Sequence, residues 1–178
     1  MIGLGLLAAV AAVLTPEALA HAHRELGKAE GACRAPEPGP AIFVTVTGLK
    51  DRQGLLKLEV YPANDEDFLQ DDKILVREGK IFRRVELPVP ASDVPELCVR
   101  IPAAGTYAVS LLHDRDSNHK FTIVSDGVGF SGNPKLGWSK PKAAASSITA
   151  SAGLTRTRIV LNYRRGLFAF GPMSNAHR

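Results

Sequence analysis

With 178 residues, 45% of them hydrophobic, 12 Pro, 16 Gly and a formal net charge of +4, the chain has material for one core and is short for two, which excludes a large multidomain machine. The positive surplus does not point to nucleic acid, because Lys and Arg are scattered without a dense run and without interleaved aromatics.

Ile2 to Leu14 is an apolar Ala/Leu-rich run of about 13 residues followed by Ala18-Leu19-Ala20, a secretory signal peptide rather than a bilayer span, which needs roughly 20 apolar residues. The run opens Met-Ile-Gly without the usual Lys or Arg, so an uncleaved anchor and a short core helix remain the competing readings. Residues 1–20 are therefore expected to be removed, placing the protein in the periplasm or outside the cell with no membrane span left. Residues 21–40 are rich in charge, Ala, Pro and Gly, carry no period, and read as a linker. Its Cys33 and the later Cys98 are the two cysteines, and an oxidising compartment favours one disulfide between them. Closing a loop of about 65 residues contributes on the order of 4 kcal/mol in the chain-entropy description. Two separately buried thiols are the alternative.

Ala41 to Thr47 alternates with period two, Ile42, Val44 and Val46 on one face, and Leu55 to Tyr61 alternates again with Leu56, Leu58 and Val60 facing in. With the polar turn Leu49 to Gly54 between them, the two strands are expected to form a hairpin. An acidic loop from Ala63 to Asp72 surrounds Phe68-Leu69. Further strands are predicted over Gly79 to Leu87, Leu97 to Ile101 and Thr106 to His113, the last with Tyr107, Val109, Leu111 and His113 on one face. After residues 113–138 come a short strand at Ile148 to Ala152 and a final strand from Leu154 to Tyr163. Some seven short strands separated by Pro and Gly turns, with no sustained helical period, predict an all-β chain. The expected architecture is a single antiparallel β-sandwich over 41–163, with 164–178 as a tail.

Polar chelating residues, glycines and aromatics gather between His113 and Pro141. Asp114, Asp116 and Asn118 fall at every second position of a turn, so their oxygens can converge on one hard cation. The carbonyl of Lys120 and the hydroxyl of Thr122 are further ligands, and Asp126 is the remaining carboxylate, which makes calcium the candidate cofactor of a weak site. Asp, Ser and Asn are also turn formers that bond their own backbone, and the chain needs a turn here in any case. His113 is either a hydrogen-bonded residue at the edge of the core or, beside Asp114, a general base or ligand.

Gly127-Val-Gly-Phe-Ser-Gly-Asn-Pro134 lacks the Gly-Lys-Ser/Thr ending of a phosphate loop, so nucleotide binding is not expected, and its glycines read as close packing with Phe130 tucked inward. Ser131 is not in a nucleophile elbow. Trp138 is read first as a lid on the core and second as an exposed platform for a sugar ring or peptide. His113, Phe130, Ser131, Asn133 and Trp138 are the candidate binding residues.

The run Gly105-Thr-Tyr-Ala-Val109, His113-Asp114, an acidic loop, Gly127-x-Gly-Phe-Ser-x-Asn-Pro134 and a following Lys-x-x-Ala segment resembles the bacterial family of exported proteins catalogued as DUF2141, over about Ala41 to Tyr163. The resemblance implies a transthyretin-like or immunoglobulin-like sandwich, export, and no established activity. It also implies a loop of the form His-Asp-x-Asn-x-Asn-Gly-Lys-Leu-Asp that looks like a calcium loop, from which this sequence departs with Asp116 for Asn, His119 for Gly and Thr122 for the last Asp. The expected role is an envelope binding or structural module with an unidentified ligand or protein partner. A periplasmic hydrolase using His113 and Asp114 is the alternative.

Overall fold

The computed structural model describes Thr15, residues 25–166 and residues 169–173. The signal-peptide reading of residues 1–20 lies outside the described residues except at Thr15. Among the described residues no helix is long and apolar enough to cross a membrane.

Among the described residues ten strands form two sheets. The small sheet holds β1 (Ala41–Thr47) between β4 (Glu96–Arg100) and β8 (Leu154–Val160). The large sheet runs β10 (Ala169–Pro172), β9 (Asn162–Arg165), β6 (Gly127–Phe130), β5 (Gly105–Asp114), β2 (Leu55–Pro62), β3 (Arg83–Pro88), and β7 (Ser147–Ala150) continues the β6 side of β5. Two short helices, α1 (Lys28–Gly31) and α2 (Asp72–Arg77), and a 3-10 turn at Ala144–Ser146 complete the described elements.

The period-two alternation decides which face is buried. Ile42, Val44, Leu97, Val99 and Ile159 of the small sheet share one core with Leu56, Leu58, Val60, Val109 and Leu111 of the large sheet. A second, smaller core lies on the opposite face of the large sheet. There Tyr61, Ala108 and Phe130 meet Phe68 of the acidic loop, Leu75 of α2 and Phe82. The large sheet is thus buried on both faces over part of its area, and this is what allows a site to be built on its outer side.

Several expectations are corrected. β1 and β2 do not pair; β1 lies antiparallel to β4 and parallel to β8. The connection 49–54 crosses the end of the sheets because it is bonded there, Lys50 N–H donating to the Tyr163 hydroxyl and Gln53 O lying 2.7 Å from His113 Nε2. The predicted last strand is two strands in different sheets. At Leu161 the chain steps from the small sheet to the large one, its N–H donating to Thr47 O at 2.9 Å and its side chain fully buried at the step. Gly127–Phe130, read as a packing loop, is strand β6, and the tail supplies the end of β9 and all of β10, which pairs antiparallel with β9. Ten strands with one parallel pair therefore replace about seven antiparallel ones.

Residues 25–40 are tied to both sheets. α1 rests on β3, where Gly27 O accepts from Arg84 N at 3.1 Å, Ala32 bridges to Val99, and Cys33 is disulfide-bonded to Cys98 with a Cα–Cα distance of 5.9 Å.

Candidate functional site

Alternation along β5 sends His113 and Phe130, which had been grouped together, to opposite faces of the large sheet. His113 pairs in register with Leu56 and Gly127 on the inner face, whereas Phe130 pairs with Ser110 on the outer face. His113 is fully buried, with Nδ1 2.6 Å from the Tyr163 hydroxyl and Nε2 2.7 Å from Gln53 O. Since the Lys50 N–H donates to that hydroxyl and Gln53 O can only accept, the consistent tautomer carries its proton on Nε2 and accepts the Tyr163 proton at Nδ1. Burial depresses the His113 pKa, the Gln53 bond and the charge of Asp51 opposing it. Burial likewise pushes the Tyr163 hydroxyl up. This neutral, doubly bonded imidazole ties β5 to β9 and to the 49–54 connection.

The loop between β5 and β6 is held closed by its two buried aspartates. Asp114 accepts the N–H groups of Asn118 and His119 at 3.2 and 2.7 Å, and Asp126 accepts those of Arg115 and Thr122 at 3.1 and 2.7 Å. Arg115 clamps the base by pairing with Asp51, its Nε lying 2.8 Å from Oδ2. Ser117 and His119 have φ of 55° and 63°. The left-handed backbone at 119 is the physical reason a glycine suits that position; here His119 occupies it and reaches Glu86 at 3.3 Å.

Carboxylate oxygens of Asp114, Asp116 and Asp126 lie within 4.8 Å of one another, with Asp114 and Asp126 buried and Asp116 exposed. Burial raises the Asp114 pKa, and the neighbouring Asp116 and Asp126 add to it against the backbone bonds from His119 and Asn118. Asn118 Oδ1 accepts the Lys120 N–H at 2.7 Å, and its amide donates to Asp116 and Thr122.

The concave site is on the outer face of the large sheet, and its floor follows from register. Glu59, Ser110 and Phe130 form one row across β2, β5 and β6, and Lys57, Leu112 and Val128 form the next. Over this floor lies a groove of about 370 Å³. One wall is Phe121 and Ile123 of the β5–β6 loop, the other runs from Leu136 to Pro141, and Phe170 of β10 and Leu69 flank it. Both walls are pinned by lysines. Lys57 Nζ donates to His119 O at 3.2 Å, and Lys140 Nζ donates to the carbonyls of Asp65 and Phe68 at 3.1 and 2.9 Å.

The lining is mainly apolar. Phe121 stays 47% exposed, Ile123 39% and Trp138 57%, and the indole of Trp138 meets Phe170 edge-on with centroids 6.4 Å apart. Trp138 stands on the rim of the groove rather than serving as a lid on the core. At the polar end Glu59 is bound by Arg84 at 2.7 and 2.9 Å and by the Tyr61 hydroxyl at 2.7 Å, and Arg84 also reaches Asp72 at 2.8 Å. Paired in this way, the buried charges form a fixed polar end to an otherwise greasy trough.

The predicted residues therefore divide. Phe130 and Trp138 line the groove. Asp114 and Asp116 shape the loop that supplies its wall. Ser131 is buried with its N–H on Val109 O, and Asn133 bonds Arg158 O and Val160 N, which ties the turn after β6 to β8. Sequence reading missed Lys57, Leu112, Phe121, Ile123 and Phe170. The period-two phase of β2 and β5 places the first two on the outer face, but no local pattern announces that this face is covered by distant loops.

A family model described as an uncharacterized protein conserved in bacteria (DUF2141) matches residues 44–158. No curated protein and no solved structure matches the chain.

Proposed function

The chain belongs to the DUF2141 family, and from that premise we propose that it is an exported, single-domain β-sandwich of transthyretin-like or immunoglobulin-like type that binds an apolar or aromatic ligand in the envelope. The observation that carries this reading is the groove on the outer face of the large sheet, where Phe121, Ile123 and Trp138 are kept partly in water above a floor ending in Lys57, Glu59 and Ser110. Apolar side chains held exposed around a concavity are a standing source of binding energy, about 25 cal/mol for each Å² removed from water. The disulfide is compatible with an oxidising compartment.

The hydrolase alternative is disfavoured by the same geometry. His113 has no solvent access, its two ring nitrogens are engaged within the core, and the groove lies on the other side of the sheet. The Asp114 loop acts as a positioning element for the groove wall. Asp114, Asp116 and Asp126, with carboxylate oxygens within 4.8 Å of one another, would hold a calcium ion weakly and so stiffen this wall.

The groove is tested with the neutral fluorophore N-phenyl-1-naphthylamine. Saturable one-to-one binding to the full chain, weakened at least tenfold in the rim variants Phe121→Ser and Ile123→Ser, is expected. Equal binding by wild type and both variants would overturn the assignment.

A further inference from the structure

We propose that a second site, separate from the groove, binds a phosphate group in a concavity walled by Arg34, Arg83 and Arg100 at the seam between the two sheets. The concavity measures about 250 Å³ and is the place where three guanidinium-bearing residues from three distant segments converge. Their convergence is imposed by the backbone. Arg34 follows Cys33, which is disulfide-bonded to Cys98, two residues before Arg100. The segment between α1 and Cys33 is pinned to β4 by the Ala32–Val99 bridge. α1 lies against the start of β3, where Arg84 N–H donates to Gly27 O and a Cβ on Gly31 would come within 2.9 Å of Arg84 O, so only glycine permits the approach that brings this segment up to Arg83.

The positive charge so assembled is incompletely neutralised. Outside the lining, Glu37 pairs with Arg100 at 3.6 Å, while its two oxygens accept the backbone N–H groups of Arg34 and Gly39 at 2.9 Å each. Glu30 is the one acid among the lining residues, set against three arginines. Arg83 spends one donor on Phe82 O at 2.8 Å, and Arg34 bonds Glu37 through its backbone N–H. Each guanidinium is a planar fork of donors matched to oxyanions. A carboxylate has two oxygens and fills one fork. A phosphate monoester presents three terminal oxygens and a charge of about −1.5 to −2 near neutral pH, enough to engage all three arginines. The recognising chemistry is the same for free phosphate, a small phosphate ester and a lipid headgroup.

The test is a thermal melt of the full chain titrated with inorganic phosphate, ionic strength being held constant with chloride. A rise in Tm is expected, growing with the logarithm of phosphate concentration above its Kd. Arg34→Gln, which keeps the backbone N–H bond to Glu37, should melt with the wild type when unliganded and lose most of the phosphate shift. Arg83→Lys, which keeps charge but not the fork, should lose it as well. Pelleting with vesicles containing phosphatidic acid distinguishes the source: pelleting that disappears in both variants, with little response to free phosphate, assigns the site to a headgroup. No phosphate-specific shift together with no pelleting, or responses unchanged in both variants, would overturn the proposal.

Discussion

Replacing Gly129 by Ala probes the packing that holds the groove floor in place. Gly129 faces the inner side of β6, and a Cβ built there would lie 2.5 Å from Ile159 Cγ2 and 2.7 Å from Val160 O. The contact arises because β8 ends at this point and the chain steps across to β9, which brings the small sheet's backbone hard against β6. Ordinary contact begins near 3.4 Å, so β6 must retreat by about 1 Å, since the obstacle includes a backbone carbonyl that cannot rotate away. Overpacking of this kind costs about 1–3 kcal/mol. At about 2–4 °C per kcal/mol for a chain of this length, Tm should fall by roughly 2–12 °C. The displacement moves Val128 and Phe130 toward the groove, so probe binding should weaken in the same variant. Thermal unfolding followed by far-UV circular dichroism, with fluorophore titration of the folded variant, gives both readouts. An unchanged Tm would refute the packing account of the Gly-x-Gly pair; a lowered Tm with undisturbed binding would separate β6 from the groove.

Acid should weaken the protein through His113. Its folded pKa is depressed, chiefly by burial, below the ordinary value of 6.5, so the unfolded chain takes the proton first. The stabilisation is complete above about pH 6.5 and is lost as pH falls toward the folded value. The groups facing the ring are the Tyr163 hydroxyl, Gln53 O, Asp51 at 4.0 Å, Arg115 and Asp126. Denaturant midpoints between pH 7 and 5 should decline in the wild type and decline less in His113→Gln; parallel profiles would contradict the buried neutral assignment. Asp65, held low by the Ala143 N–H, and Asp67, held low by the Lys80 ammonium, act only below the ordinary carboxylate range near 3.9 and so do not blur this window. Reducing Cys33–Cys98, which spans 65 residues, should cost on the order of 4 kcal/mol, read as a lower denaturant midpoint in dithiothreitol, and thiol titration of the unfolded, unreduced protein should find no free thiol. Melting with calcium and with a chelator tests the loop: a calcium-dependent rise in Tm that is lost in Asp116→Asn is expected, and an unmoved midpoint removes the cation from the account.

The strands were legible because a half-buried sheet imposes period two, and Ile42-Val44-Val46, Leu56-Leu58-Val60 and Tyr107-Val109-Leu111 obey it. Which strands pair was not legible, since register depends on where connections are anchored. The 49–54 segment looks like a hairpin turn until Tyr163 and His113, distant in sequence, bond it. The continuous alternation of Leu154 to Tyr163 concealed a change of sheet, because a strand that crosses at Leu161 keeps its apolar phase on both sides. His113 was placed correctly on the inner face, but the two candidate roles differ only by solvent access, which a single sequence does not encode. The Asp114 loop was legible as a turn and as an oxygen cluster together, and the structure contains both. The groove was the least legible feature, because its floor is the polar phase of β2 and β5 and its walls come from loops with no period at all.

The most direct measurement uses the only tryptophan in the chain, Trp138, on the rim of the groove. Titrating the folded protein with N-phenyl-1-naphthylamine should quench Trp138 emission with the same half-saturation as the rise in probe fluorescence, both reaching a plateau at one probe per chain. Binding of the probe with Trp138 emission unchanged, or no saturable binding to the folded chain, would contradict the assignment of this face as the ligand site.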